Sequence, residues 1–129
     1  MTTCTPTWAL PILQRAAQHL PLPLDVPAAA YTLLDEGGVE WHLEATADHL
    51  LLHCQLADDG LRCNEDRLRG LLAHHHEPQA MDGACIALDT ASGVLRLVQA
   101  HARDSPTLDD LPGALQRLQC VRRHLLPSP

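Results

Sequence analysis

The sequence predicts an α+β domain in which an antiparallel sheet is flanked by helices, in the order α-β-β-β-α-β-β-α. Apolar and polar residues alternate along Val39 to Thr46 and again along His49 to Leu56, the period of half-buried antiparallel strands. Two β-rich runs within Gly83 to Gln99 flank a polar, Gly-containing connection, the pattern of a β-hairpin. Near both ends of the chain apolar residues recur at intervals of three and four, as on one side of a helix.

The first helix is placed over Thr7 to Leu20. It gathers Trp8, Ile12, Leu13, Ala16, Ala17 and Leu20 on one side. Thr7 is its expected N-cap, and Pro11 falls near the first turn, where a missing amide donor costs little. The run Pro21-Leu22-Pro23-Leu24-Asp25-Val26-Pro27 cannot be helical and reads as an extended connector. Tyr31 to Asp35 forms a first strand, turned by Glu36-Gly37-Gly38. In the second strand Val39, Trp41, Leu43 and Ala45 share the inward face. Ala47-Asp48 turns the chain into a third strand, with Leu50, Leu52, Cys54 and Leu56 inward and His49, Leu51, His53 and Gln55 outward. The result is a three-stranded meander.

Asn64 caps a short middle helix whose first turn holds Glu65 and Asp66 and whose apolar side carries Leu68, Leu71 and Leu72. It ends near Glu77, because Pro78 follows. In the hairpin, the first arm puts Ala84, Ile86 and Leu88 on one face. The second arm carries Leu95 and Leu97 on one face with Val94 and Val98 on the other, so it needs cover from both sides. A final helix opens at Ser105-Pro106 and runs from about residue 108 to 126, with Leu111, Leu115, Leu118, Val121 and Leu125 in its stripe. Arg117, Arg122, Arg123 and His124 lie toward its C-terminal half, the end that favours cations.

A chain of 129 residues fits one domain, residues 1–129, and buries roughly two thirds of its unfolded surface. Nine Lys+Arg stand against sixteen Asp+Glu, a net charge of −7, which argues against binding nucleic acid or an anionic membrane. With no Phe, one Tyr and two Trp, the core must be aliphatic, and stacking platforms for single-stranded nucleic acid are missing. Five cysteines cannot all pair in disulfides. The first twenty residues hold Pro6, Pro11, Arg15, Gln18 and His19, so neither a signal peptide nor a membrane span is expected, and a reducing cytoplasm is.

Nine histidines invite a metal reading. The run His74-His75-His76 cannot converge on one ion, since neighbours on a helix diverge by about 100°. His49 and His53 share a strand face but stand about 13 Å apart at ~3.3 Å per residue. No metal site and no cofactor is expected. Asp58-Asp59 and Asp109-Asp110 read as turn and helix-start residues. Cys54 and Cys85 read as small packed residues, and no catalytic constellation emerges.

Several strings resemble the class I type III secretion chaperones, the Tir-chaperone family. Leu33-Leu34-Asp35-Glu36-Gly37-Gly38 is similar to that family's first strand and turn, Leu50 to Leu56 to its third strand, and Leu68, Leu71, Leu72 and Ala73 to the stripe of its second helix. Gly83 to Asp89 with Ser92 to Leu97 resembles its last hairpin. The His74 to His76 run departs from the family's usual residues there. The resemblance implies a small acidic homodimer of the bacterial cytoplasm without catalytic activity. It would bind the N-terminal segment of a secreted effector, hold it non-globular and pass it on for export, with the export ATPase as a further candidate partner.

On that reading, Trp8, Ile12 and Leu13 of the first helix and Leu51, Val94 and Val98 on the outer strand faces are the expected effector-binding residues. Leu68, Leu71, Leu72 and Ile86 are the expected dimer interface. The alternative is a regulatory or adaptor module on the same fold that binds a folded partner.

Overall fold

The structure, a computed structural model, describes residues 6–20, 30–57, 69, 73, 81–89, 91 and 94–125. Five strands form one antiparallel sheet: β1 (Ala30–Leu34), β2 (Glu40–Ala45), β3 (His49–Ala57), β4 (Cys85–Asp89) and β5 (Val94–Ala102). Their spatial order is β1-β2-β3-β5-β4, so the hairpin docks by its second arm. Helices α1 (Leu10–Ala16) and α2 (Leu111–Leu125) complete the described elements, α2 being preceded by a 3₁₀ turn at Pro106–Asp110. The expected middle helix and the 21–27 connector lie outside the described residues, except for Arg69 and Ala73, both helical.

The period-2 pattern sets the sheet's two faces. Tyr31 and Leu33, Trp41, Leu43 and Ala45, Leu50, Leu52, Cys54 and Leu56, and Leu95 and Leu97 are all buried on one side. Ala9, Leu13 and Ala16 of the α1 region and Leu111, Ala114, Leu115, Leu118, Val121 and Leu125 of α2 close over that side in a single core. The expected stripe of the last helix is therefore the one it buries. Ile86 and Leu88 pair with Leu97 and Leu95 on this inner face, as the hairpin pattern predicts. Because β4 is an edge strand among the described residues, Ile86 is only partly covered and Leu88 stays 42% exposed.

Local chemistry fixes the turns. Asp35 N donates to Val39 O at 2.9 Å and Gly38 N to Asp35 O at 3.0 Å, with Gly38 at φ +81°, a conformation that a side chain would strain. Asp35 Oδ1 accepts from Val39 N at 2.9 Å, while its Oδ2 accepts from the buried Trp41 indole at 2.9 Å and from Gln119 of α2 at 3.2 Å. Between β2 and β3, Thr46 Oγ1 accepts from His49 N at 3.0 Å, an ST-turn over Ala47-Asp48.

Three expectations need correction. Helix α1 is shorter than Thr7 to Leu20, with turns at either end, and its N-cap is Ala9 without a side-chain cap, not Thr7. The chain enters instead through a turn closed by Ala9 N to Pro6 O at 3.0 Å, and Pro11 occupies the first helical turn, which needs no amide donor there. The last helix begins as a 3₁₀ turn capped by Ser105 and becomes α-helical only at Leu111, with Asp110 Oδ1 accepting from Gly113 N at 3.1 Å. Cys85 is exposed rather than packed: it pairs with Val98 on the outer face of the edge strand.

Replacing Asp35 with Ala removes the acceptor that ties the Val39 amide, the Trp41 indole and Gln119 together and leaves a fully buried indole N–H unpaired, which costs roughly 2–4 kcal/mol. Leu34→Ala, one position away but 62% exposed, changes stability by less than about 0.5 kcal/mol. Urea unfolding midpoints of the two variants check both values.

Candidate functional site

The alternation that buries one sheet face turns a second set of side chains to the other, where those described on β3 and β5 are mostly half-buried. On this outer face the strand register lines up Thr32, His42, His53, Val98 and Cys85 across all five strands. Thr32 Oγ1 lies 3.1 Å from His42 Nδ1, and the His42 and His53 rings stack at 5.1 Å and 20°. His53 Nε2 is 3.1 Å from Glu44 Oε1, and its Nδ1 accepts from Arg96 Nη2 at 2.9 Å. The polar stripe runs between half-buried Leu51 on one side and Val94 on the other, with Val98 within it. Dehydration lowers the His53 pKa; Glu44 opposes that shift, and Arg96 and His42 reinforce it.

A second surface follows the β1 edge. An open groove of about 930 Å³ lies between the β1–β2 turn and α2, lined by Leu33, Leu34, Val39 and Trp41 on one wall and Leu115, Gln119, Arg122 and Arg123 on the other. Leu34 is 62% exposed beside it. Asp35 sits in the same wall. Burial alone would raise its pKa, but the hydrogen bonds from Trp41, the Val39 and Gly37 amides and Gln119 outweigh that and hold it below the ordinary carboxylate value. The carboxylate is thus committed to holding the turn.

At the far end of β5 lies a buried polar network. Gln99 and His101 are both 7% exposed on the inner face. Gln99 Nε2 donates to Asp82 O at 2.7 Å; His101 contacts Gln99 Oε1 through Nε2 at 2.8 Å and Thr107 Oγ1 through Nδ1 at 2.7 Å. Ser105 Oγ is 2.7 Å from Thr107 Oγ1, so every member has a partner. Dehydration lowers the His101 pKa, Arg117 adds to the effect and Asp82 opposes it. Cys54 is equally occupied by packing, since burial pushes its thiol up to about 11 against the opposing influence of Arg122.

The expected binding residues separate into two groups. Leu51, Val94 and Val98 share the outer sheet face, half-buried. Trp8 and Ile12 lie half-buried on the helical side, the Trp8 indole donating to Thr46 O at 3.2 Å. Leu13 is 1% exposed and belongs to the core, so it supports α1 and offers no open surface. Ile86 sits on the β4 edge, while Leu68, Leu71 and Leu72 lie outside the described residues. Sequence reasoning passed over Leu34 and Leu88, the two large apolar side chains most exposed among the described residues. Leu34 was visible in principle, being out of phase with buried Tyr31 and Leu33.

Among the described residues no group of three or more His, Cys, Asp or Glu could hold a metal ion. None of the described helices is long and apolar enough to cross a membrane. Among the described residues the surface offers an edge strand, β1, half-buried aliphatic patches and polar groups bonded to one another.

The described residues make a small α+β domain with helices over one face of its sheet, and comparison with known proteins places it. The Tir chaperone protein (CesT) family profile matches residues 13–126, and the chain belongs to that family. Its fold is shared by a chain of the HopA1–SchA chaperone–effector complex, at TM-score 0.70 and 19% identity over 94% of each chain. A chain of the ExsC–ExsE complex matches at TM-score 0.67 and 20% identity, over 90% of this chain and 86% of that one. An uncharacterized protein from Methanothermobacter thermautotrophicus matches at TM-score 0.60 and 14% identity, over 92% and 94%. No curated protein matches.

Both perturbed histidines bear on stability. Their folded-state pKa values lie below the ordinary 6.5, so the unfolded chain binds more protons as the pH falls. Their contribution is complete above about pH 6.5 and is lost as the pH drops through the folded values. Urea midpoints measured from pH 8 to pH 5 should fall steadily. His101→Gln should start lower at pH 8 and show a shallower decline.

Proposed function

We propose that this chain is a type III secretion chaperone that binds the N-terminal segment of a secreted effector as a homodimer, in the bacterial cytoplasm, and keeps it non-globular and export-competent. It catalyses no reaction, and the export ATPase is its partner at delivery. Family membership across residues 13–126 carries the reading. The surfaces supply its physical basis.

An extended client can add a strand to the β1 edge, where its backbone groups find partners and its apolar side chains reach the adjoining groove beside Leu34. Trp8 and Ile12 on the helical side and Leu51, Val94 and Val98 on the outer sheet face provide further anchor points. Since those groups lie on different sides of the sheet, a client touching both must run around the protomer. A folded domain cannot do this without unfolding, whereas an extended segment can. The opposite edge, with Ile86 and exposed Leu88 on β4, is assigned to the second protomer together with Leu68, Leu71 and Leu72.

Co-expression with candidate effectors followed by limited proteolysis tests the client role. The N-terminal effector segment is protected by the wild type and digested in the presence of Leu34→Asp, whose own unfolding midpoint stays within about 0.5 kcal/mol of wild type because the residue is exposed. Light scattering tests the assembly: the wild type has the mass of two chains, and Leu88→Arg shifts it toward one. A strictly monomeric wild type that protects no effector segment would overturn the proposal.

A further inference from the structure

His53 on β3 is held through both ring nitrogens. Arg96 of β5 approaches Nδ1 with Nε at 3.2 Å and Nη2 at 2.9 Å, and Glu44 of β2 places Oε1 3.1 Å from Nε2. A guanidinium has donors only, so Nδ1 must present its lone pair, and the ring hydrogen sits on Nε2 facing the carboxylate. One neutral tautomer therefore satisfies all three side chains. The imidazolium cannot, because its Nδ1–H would meet two N–H groups of a second cation within hydrogen-bond distance.

We propose that the Glu44–His53–Arg96 bridge is a proton-operated latch on the outer sheet face: a proton arriving on Nδ1 of His53 expels the Arg96 guanidinium, and the bridge passes from closed and neutral to open and cationic. Among the described residues, the charged and titratable groups facing His53 are Arg96 from β5 and Glu44 and His42 from β2, His42 being tied in turn to Thr32 of β1. Dehydration, Arg96 and His42 disfavour the charged ring, and Glu44 favours it once formed. The latch thus stays shut at neutral pH and has a carboxylate to stabilise its open form.

Its place on the sheet gives it a use. Val98 pairs directly with His53, and Leu51 pairs with Glu44. A segment lying over these residues withdraws water from His53 and favours the uncharged ring. By linkage, docking on this face weakens on acidification. That use rests on the client-binding reading, whereas the latch belongs to the free chain, so measuring it in the free protein separates the two.

The experiment is ¹⁵N-detected NMR of imidazole and arginine side chains in the full chain between pH 8 and pH 5, for wild type, Arg96→Gln and Glu44→Gln. At pH 8 His53 is expected as the Nε2–H tautomer with a protected Arg96 Nε–H. On acidification both signals change with one shared midpoint. Arg96→Gln moves the His53 midpoint up, and Glu44→Gln moves it down. The latch is overturned by an Nδ1–H tautomer at pH 8, by an Arg96 Nε–H that stays unchanged while His53 titrates, or by an Arg96→Gln midpoint at or below that of wild type. The wild-type titration decides the matter even where a variant folds poorly.

Discussion

The hydrogen bond from the Trp41 indole to Asp35 is the constraint on which the rest of the structure leans. Trp41 is fully buried near the start of β2, and an indole N–H sealed there without an acceptor would cost the full desolvation of that group. Asp35 supplies the acceptor at 2.9 Å, and the same carboxylate binds the Val39 amide of its own turn and Gln119 of α2. One side chain thereby sets the β1–β2 turn, the depth of the aromatic ring and the position of the last helix. Such a tie matters more here than in most cores. With no Phe and about one residue in five Leu, the larger side chains of the interior are mostly leucines, which fill space without specifying a unique arrangement.

Specificity has to come from polar contacts at the periphery, and α2 is held by them along its length. Ahead of the helix, Ser105 and Thr107 are tied through His101 and Gln99 to the backbone of Asp82. In its second half Gln119 reaches Asp35, and Arg122 donates to Gln55 O at 3.4 Å, while Leu111, Leu115 and Leu118 between them need only fit a smooth apolar surface. The division of labour follows from chemistry. Aliphatic burial supplies the driving force without direction, and directional bonds select one docking of helix on sheet.

The meander, the hairpin and the buried stripe of α2 were legible in the sequence because each depends on periodicity within a single segment. The α1 boundaries were not, because the pattern of apolar residues continues past Ala16 while the backbone leaves the helix. Cys85 was misread because its burial depends on β4 being an edge strand, a fact of sheet order rather than of local pattern. The same applies to the site. Leu51, Val94 and Val98 were placed on the outer face by alternation, but the contact between His53 and Arg96 spans 43 residues and exists only through the β3–β5 register. Leu13 lies on the apolar stripe of α1, and such a stripe gives the buried side of a helix without saying which of its members are sealed.

The sheet's proportions bear on how its described edges are protected. Its central strands β3 and β5 run nine residues each, while the described edges β1 and β4 run five. Short edges are a common protection against unwanted strand pairing. Here, however, each edge also carries an exposed leucine, Leu34 at 62% and Leu88 at 42%. A surface selected only for solubility would place charge at those positions, as Glu40 and Asp89 are placed nearby. Leucine there is a standing cost unless another chain covers it. Both described edges thus combine short length with one large exposed apolar side chain, the combination that the proposed client and second protomer would cover.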